Sequence, residues 1–209
     1  MITNLDHPIF IKSIAYIRSQ LLPNDLDELQ RAVLERLIHS SGDFEVQKFL
    51  RFSPEACNIG LKALKLGAAI LTDTCMASSA LAPMAKRTLQ APVKSILDWA
   101  PINQESLDLT RTALGMKRAW AEFSHDSIAP IVVIGSSPTA LQALLELVSS
   151  GSKKPSLIVG MPVGFIGVSE SKDRLLNSNC SYILLEGSRG GAALAAATIN
   201  ALLRAAVIE

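Results

Sequence analysis

Residues 131–141 read IVVIGSSPTAL, and this stretch decides the fold class. Its first four residues are branched and apolar without alternation, which is typical of a strand buried on both faces of a parallel sheet. Gly135 ends the run, Ser137 can cap a helix and Pro138 suits the first helical position. The stretch therefore predicts a strand that turns directly into a helix, which is the unit from which α/β folds are built.

The same alternation of strand and helix extends over the neighbouring sequence. Strands that alternate with helices place helices on both faces of a sheet. We therefore expect a three-layer α/β/α fold with a mainly parallel, Rossmann-like sheet of about five strands. Further strands are predicted at residues 69–73, 157–160 and 182–185, with 93–97 as an additional candidate. Helices are predicted at residues 108–123, 138–148, 170–176 and 191–206.

The N-terminal third of the chain is predicted to be helical. Apolar residues recur at helical spacing over residues 9–22. Asn24 is expected to cap a second helix, which ends near Gly42, a residue suited to a left-handed cap. A third helix is expected to start with Pro54 at its first position and to run to about Gly67.

Composition excludes several classes of protein. Of the 209 residues, 49% are hydrophobic and 19% are charged, and the mean hydropathy of +0.30 excludes a disordered chain. The 20 basic and 19 acidic side chains give a net charge of +1, so we expect no globally basic surface for nucleic acid. The length, and the lack of a repeat or linker, predict one domain over residues 1–209.

Membrane and export signals are not expected either. Residues 190–208 are the most apolar long stretch, but they are rich in alanine and contain Arg204, so a buried helix is expected rather than a membrane span. The first residues lack the basic and apolar regions of a secretory signal. Three widely separated cysteines predict neither a disulfide framework nor a metal site, and a cytoplasmic location is expected.

Candidate sites lie where strands turn into helices, because ligands of open parallel sheets bind beyond the carboxyl ends of the strands. Free backbone N–H groups near Ser137 suit a carboxylate or phosphate, although an ordinary capped helix also explains this segment. Residues 160–167 predict a shaped loop whose apolar tip, 165–166, faces a flat ligand or a partner subunit. Asp73 is expected to be a cap, with a hydrogen-bond acceptor or a ligand contact as alternatives. Residues 187–191 match neither common phosphate-binding motif.

Histidine is the side chain best suited to proton transfer near neutral pH, and the chain contains three. His7 precedes a proline near the terminus, and His125 lies in a polar connection. His39 closes the second predicted helix on its polar side, and Arg36 lies one turn earlier. Both a catalytic group and a basic residue that stabilises the end of a helix fit this pattern.

Several motifs, all in the same order, resemble the precorrin-8X methylmutase family, whose members are also called cobalt-precorrin-8 methylmutases. The resemblance extends over essentially the whole chain, and its most specific part is the glycine-rich loop. The motifs are RLIHSSGD at 36–43, ILTD at 70–73, TRTA at 110–113, IGSSPTAL at 134–141, GMPVGFIG at 160–167 with ESK at 170–172, and the turn at 190–191 with AAA at 195–197 and NAL at 200–202.

The resemblance implies a cofactor-free isomerase of cobalamin biosynthesis that acts on a tetrapyrrole. Such an enzyme moves a methyl group from C-11 to C-12 of precorrin-8X or cobalt-precorrin-8, and gives hydrogenobyrinate or cobyrinate. It implies His39 as proton donor or acceptor, and a homodimer with the macrocycle near the subunit interface. We expect no metal, nucleic-acid or membrane partner. The candidate substrate-binding residues are Ser13, Arg36, Arg111, Ser137, Thr139 and Gly190.

Two other functions fit parts of the sequence. A tetrapyrrole carrier would keep the pocket without the chemistry, and a nucleotide-dependent α/β enzyme would need phosphate motifs that the chain does not match. The chain also departs from the family pattern at one turn. Many relatives have arginine at the place of Ser188 and serine at the place of Ala192, whereas here Arg189 comes one position later. The family's side-chain contact to a carboxylate is therefore not carried over to this turn, although its backbone donors remain.

Overall fold

The computed structural model describes residues 5–103 and 108–208, and within them six strands form one sheet. The strands are β1 (Leu50–Phe52), β2 (Ile70–Thr72), β3 (Val93–Ser95), β4 (Ile131–Ile134), β5 (Leu157–Gly160) and β6 (Tyr182–Leu185). The strand order is β1-β6-β5-β4-β2-β3, and β1 alone pairs antiparallel with its neighbour. The predicted α/β class with a mainly parallel sheet is confirmed, with six strands instead of about five.

Helices cover both faces of this sheet. They are α1 (Pro8–Gln20), α2 (Glu28–Ser41), α3 (Val46–Phe49), α4 (Ala56–Lys65), α5 (Cys75–Arg87), α6 (Arg111–Phe123), α7 (Pro138–Ser149), α8 (Val168–Leu176) and α9 (Ala192–Ile208), with a 3-10 helix at Ile96–Asp98. Ile131 and Val133 pack in one core with α2, α5 and α9, whereas Val132 and Ile134 pack in a second core with α6 and α7. Successive strand residues face opposite ways, so the two cores lie on opposite sides of the sheet and the three layers are as predicted.

The five parallel strands end at the same edge of the sheet. Strands β2, β3, β4, β5 and β6 run in one direction, so the turns that follow them all lie there. We call this edge the carboxyl edge. The turn that follows β2 is in direct contact with β4, because the N–H of Asp73 donates to the carbonyl of Val133 at 3.0 Å.

Strand β1 lies outside the predicted set. It has only three residues, with Arg51 between Leu50 and Phe52, so it shows neither a long apolar run nor a clear alternation. Its stability comes from pairing with the edge of β6, where Leu50 lies opposite Leu185. Such a short edge strand depends on its neighbour more than on its own sequence.

Several helix starts differ from those predicted. Asn24 does not cap α2; the cap is Asp27, whose carboxylate accepts from the N–H of Gln30 at 2.8 Å while the Gln30 side chain accepts from Asp27. The prediction overlooked this reciprocal pair, which satisfies two otherwise free backbone donors. Helix α4 begins at Ala56 rather than Pro54, and α6 begins at Arg111 rather than residue 108.

Other predicted elements are confirmed. Gly42 ends α2 in the left-handed conformation, with φ of +67°, and residues 93–95 of the candidate stretch 93–97 form β3. Helix α9 is the expected buried helix and packs against α2 and α5. In the described part of the chain, no helix is long and apolar enough to cross a membrane.

Candidate active site

His39 lies in the last turn of α2, where α1 crosses it. Ser13 of α1 shares a hydrogen bond of 2.8 Å between its Oγ and His39 Nδ1. Phe10, one turn earlier on α1, meets the imidazole edge-to-face with ring centroids 5.0 Å apart. Two side chains of one helix thus hold the ring. Among the described residues Nε2 has no hydrogen-bond partner, so it is the nitrogen available to a ligand.

Arg36 lies beside this histidine, and no acidic side chain in the described part of the chain forms an ion pair with it. Its guanidinium carbon lies 4.9 Å from the centroid of the Phe10 ring, and its buried Nε has no hydrogen-bond partner among the described residues. Arg204 of α9 lies 5.4 Å from the centroid of the same ring, but its charge is balanced by Asp6, whose Oδ1 lies 2.9 Å from its Nε. Among the described residues, Arg36 is therefore a cation of this region that forms no ion pair. We call Phe10, Ser13, Arg36 and His39 the His39 cluster.

A pocket of about 380 Å³ opens next to Arg36, between α1, α2 and α9. Its charged lining consists of Arg18, Glu35, Arg36 and Arg204, and the rest includes Phe10, Ile11, Ile14, Ala15, Ala32 and Ala201. Arg18 donates to both carboxylate oxygens of the buried Glu35, at 2.6 and 3.0 Å. With Arg18 and Arg204 both paired, the pocket retains the single positive charge of Arg36. It suits an anionic group on an apolar stem.

The surroundings of His39 favour its neutral form. Burial lowers the pKa of the imidazole, and the nearby positive charge of Arg36 lowers this pKa further. Burial, together with the charge of Arg204, also lowers the pKa of the Arg36 guanidinium, while Asp6 opposes this effect. At neutral pH the imidazole is a base, and once protonated it is a stronger acid than an isolated histidine.

A second cluster joins the starts of α6 and α7. Thr110 and Ser137 are the N-caps of these helices, and each hydroxyl contacts the other helix. Thr110 Oγ1 lies 2.6 Å from Thr139 Oγ1, and Thr112 Oγ1 lies 2.6 Å from Ser137 Oγ. We call these four residues the hydroxyl cluster. Arg111 is exposed beside it, and its Nε donates to the carbonyl of Pro101 at 2.8 Å.

Asp73 occupies the backbone donors that were expected to be free near Ser137. Its Oδ2 accepts from the N–H groups of Gly135, Ser136 and Ser137 at 3.1, 2.6 and 2.8 Å, so that expectation is wrong. The favoured role of Asp73 as a cap is wrong, because Thr74 caps the following helix, whereas the alternative role as a hydrogen-bond acceptor is confirmed. Burial raises the pKa of the Asp73 carboxyl, and the backbone hydrogen bonds oppose this rise. A carboxylate of the protein itself thus fills this anion-binding turn.

The turn at Gly190 is shaped by packing. Gly190 has φ of +155°, and a Cβ there would overlap the carbonyl oxygen of Met161. Lys172 of α8, only 1% exposed, donates from Nζ to the carbonyls of Gly187 and Arg189, both at 2.7 Å. Burial lowers the pKa of this lysine to about 8. Since two backbones meet at Gly190, its first role is to allow their close approach.

Arg189, which departs from the family pattern, has an internal partner. It forms an ion pair with Asp43 and lies over the ring of Phe49, 4.9 Å from the centroid. The loop tip predicted at the surface is confirmed there, because Phe165 is 91% exposed and Ile166 is 89% exposed. These two side chains are available to a ligand or another subunit, whereas Arg189 is already paired.

The two clusters lie on opposite faces of the sheet. The His39 cluster belongs to α1 and α2, on the face that α9 covers, and the hydroxyl cluster belongs to α6 and α7 on the other face. Both approach the carboxyl edge. Ser137 follows β4 directly, and Asp43, just beyond His39, pairs with Arg189 in the turn after β6. One ligand that reaches both clusters must therefore pass across this edge.

Comparisons with known proteins identify the family. Residues 8–205 match the family model described as precorrin-8X methylmutase. The chain belongs to this family. A relative from Pseudomonas aeruginosa named precorrin-8X methylmutase is 40% identical, with 93% of each chain covered. Another from Synechocystis sp., named cobalt-precorrin-8 methylmutase, is 36% identical, with 95% of each chain covered.

The fold comparison agrees with the family. A crystal structure of precorrin-8X methyl mutase from Thermus thermophilus superposes with a TM-score of 0.86 and 35% identity, covering 95% of both chains. The chain is therefore a methylmutase, which is an isomerase, and the family resemblance and fold class inferred from sequence are confirmed. Among residues 5–103 and 108–208, no group of three His, Cys, Asp or Glu side chains is placed to hold a metal ion.

Three residues of the candidate site were not predicted, namely Phe10, Asp6 and Arg204. A signal existed for Phe10, because it lies three positions before Ser13 and so on the same face of α1. No local pattern connects Asp6 with Arg204, since their ion pair joins opposite ends of the described chain. Only the tertiary fold places both arginines on one aromatic ring.

Proposed function

We propose that the chain moves the C-11 methyl group of precorrin-8X or cobalt-precorrin-8 to C-12, giving hydrogenobyrinate or cobyrinate. Relatives named for these two compounds support the substrate class. The observation that carries the proposal is the His39 cluster, in which a histidine with an open Nε2 lies beside an unpaired arginine. A macrocycle that bears carboxylates needs both a proton carrier and a cation at its rim.

His39 is assigned as the proton donor and acceptor. The imidazolium form of His39, whose lowered pKa makes it a stronger acid than an isolated histidine, donates its Nε2 proton to the conjugated macrocycle and makes it electron-poor. The bond from C-11 to the methyl group then breaks, and a bond from C-12 to this methyl group forms with the same electron pair. A proton then returns to the imidazole, so the reaction is an isomerisation without net proton uptake. Ser13 supports this cycle because its hydroxyl can donate to Nδ1 or accept from it.

The remaining candidate residues receive different roles. Arg36 is assigned to a substrate carboxylate, since it has no partner among the described residues. Ser13, predicted as a substrate contact, is assigned to holding the imidazole. Arg111 and the hydroxyl cluster are assigned to polar groups of the substrate that reach across the carboxyl edge. Gly190 is assigned to the shape of the turn rather than to direct binding.

The conversion can be followed by colour. The methyl shift changes the conjugation of the macrocycle, so we expect the ultraviolet–visible spectrum of precorrin-8X to change to that of hydrogenobyrinate on incubation with the purified protein. Binding of precorrin-8X without this change would instead identify a carrier. Stabilisation by nucleotides but not by hydrogenobyrinate in a thermal-shift assay would contradict both.

We also propose that residues 1–209 act as one methylmutase domain and assemble as a homodimer. The small residues of α9 allow close approach either within the chain or to another subunit, and in the structure α9 packs inside the chain against α2 and α5. Exposed apolar side chains on α1 support the dimer better: Ile9 and Tyr16 are 71% and 62% exposed. Light scattering at micromolar concentration should give the mass of two chains, and the mass of one chain would contradict the assembly.

Replacing Arg36 with alanine should change both binding and pH dependence. Loss of the guanidinium removes a charged hydrogen-bond partner and should raise KM by about tenfold to a hundredfold. Without the nearby positive charge, and with water closer, the imidazolium form of His39 becomes easier to form. The pKa of His39 therefore rises, and the midpoint of the kcat–pH profile should move to higher pH.

Arg174→Ala is the matched control for this variant, because Arg174 lies on α8 and pairs with Glu146 on the other face of the sheet. It should leave KM and the pH profile unchanged. A profile of Arg36→Ala that is unmoved, or moved to lower pH, would contradict the charge argument.

A further inference from the structure

One aromatic ring, Phe10, contacts both titratable groups of the His39 cluster and also Arg204. His39 meets it edge-to-face at 5.0 Å, and the guanidinium carbons of Arg36 and Arg204 lie 4.9 and 5.4 Å from its centroid. We propose that Phe10 is a positioning residue for the methyl shift, which fixes Arg36 and His39 together while leaving their polar atoms available to the substrate. The inference rests on the proposed roles of these two residues.

The Phe10 ring holds the guanidinium of Arg36 without using its N–H groups. A carboxylate at the place of Phe10 would also hold the guanidinium, but it would consume its N–H groups and cancel its charge. The face of an aromatic ring attracts the cation through its π electrons and takes none of the hydrogen-bond donors. The unpartnered Nε of Arg36 agrees with this arrangement. The ring thus holds a cation that is still free to bind an anion.

A second arginine, Arg204, approaches the same ring. Two uncompensated guanidinium groups at one ring would repel each other. Asp6 prevents this, because its two carboxylate oxygens share the single Nε–H of Arg204, each at 2.9 Å from Nε, and Oδ2 also accepts from Nη2 of the same guanidinium. One cation at the ring is therefore neutralised from within the chain, and the other is left for a ligand. Because Asp6 forms its ion pair with Arg204 and not with Arg36, the charge of Arg36 is available to a ligand. This distinguishes Arg36 from an ordinary surface arginine.

Helix α1 holds the imidazole of His39 at two points. Phe10 and Ser13 lie on the same face of α1, so the helix holds the imidazole both by its ring and by Nδ1. The groups that face this imidazole are Phe10 and Ser13 from α1 and Arg36 from its own helix, with the Arg204–Asp6 pair beyond Arg36. The aromatic ring keeps water from one side of the imidazole, which favours the neutral base.

The test compares three substitutions. Phe10→Leu keeps an apolar side chain but loses the π face, whereas Phe10→Tyr keeps the π face. We expect Phe10→Leu to lower kcat/KM about tenfold, in line with the size of a desolvated cation–π contact, and Phe10→Tyr to restore most of it. Phe123→Leu is the matched control, because Phe123 makes a similar edge-to-face contact with Trp99 at 5.3 Å on the other face of the sheet. It should leave kcat/KM unchanged.

A second readout does not need turnover. The imidazole of His39 can be titrated by NMR in protein labelled at histidine, and its midpoint should move to higher pH in Phe10→Leu but not in Phe10→Tyr or Phe123→Leu. Equal losses of kcat/KM in the Leu and Tyr variants, or an unmoved midpoint, would overturn the inference. If Phe10→Leu does not fold, Phe10→Met replaces it in both measurements, kcat/KM and the titration midpoint of His39, with the same expected and contradicting results. A shifted midpoint in a protein that never converts precorrin-8X would leave the inference intact and refute the proposed function.

Discussion

The variant His39→Ala should convert precorrin-8X about 10²–10⁴ times more slowly than the native protein, because a positioned proton carrier contributes about this much to rate. Its fold should survive. His39 lies at the exposed end of α2 and adds one hydrogen bond and one ring contact, so the free energy of unfolding should change by about 1 kcal/mol or less. Affinity for hydrogenobyrinate should persist, since Arg36 is retained.

The matched control is His125→Ala, which removes an exposed histidine in the connection after α6. It should leave kcat, affinity and unfolding unchanged. If His39→Ala converts precorrin-8X at the native rate, His39 has no catalytic role and only stabilises the end of α2 as a basic residue. A variant that neither folds nor binds the product would assign His39 a structural role instead.

The largest effect on stability is expected from Asp73→Ala. The substitution leaves the N–H groups of Gly135, Ser136 and Ser137 without their common acceptor. Ser136 is exposed and its N–H can find water, but Gly135 and Ser137 are buried. Two unsatisfied buried donors should lower the free energy of unfolding by about 3 kcal/mol, measured by urea denaturation at neutral pH.

Asp173→Ala on α8 provides the comparison, because it removes an exposed carboxylate and should change stability by about 0.5 kcal/mol or less. Asp73→Asn keeps one acceptor oxygen and should fall between the two. If Asp73→Ala lowers the free energy of unfolding by less than about 1 kcal/mol, the cost of burying the Asp73 carboxylate in the native protein nearly cancels the stabilisation by its three hydrogen bonds.

The central sheet was predictable from sequence because its signals are local. Strand β4 is a continuous apolar run, and Ser137 and Pro138 mark the start of α7 within a few residues. Strand β1 was not predictable in this way, since three residues around Arg51 carry no pattern of their own. Its strand conformation depends on the neighbouring β6, which is far away in sequence.

The candidate site was only half predictable. His39 and Arg36 share one helix turn, so sequence alone placed them together. The contact of Ser13 with His39 bridges two helices, and three backbone donors near Ser137 are satisfied by Asp73 from another strand. Helix geometry can predict neighbours three or four positions apart, whereas these contacts depend on how whole elements pack.

Lys172 has a consequence for the chain at alkaline pH. Its buried amine donates to two carbonyl groups of the turn after β6. An ammonium has three N–H bonds and a neutral amine keeps two, so the proton that leaves near a pKa of about 8 is not needed for either contact. The Lys172 amine therefore keeps both hydrogen bonds to the turn that carries Arg189 and Gly190 after it has lost its charge. An ion pair in the same place would lose its attraction as soon as the lysine became neutral.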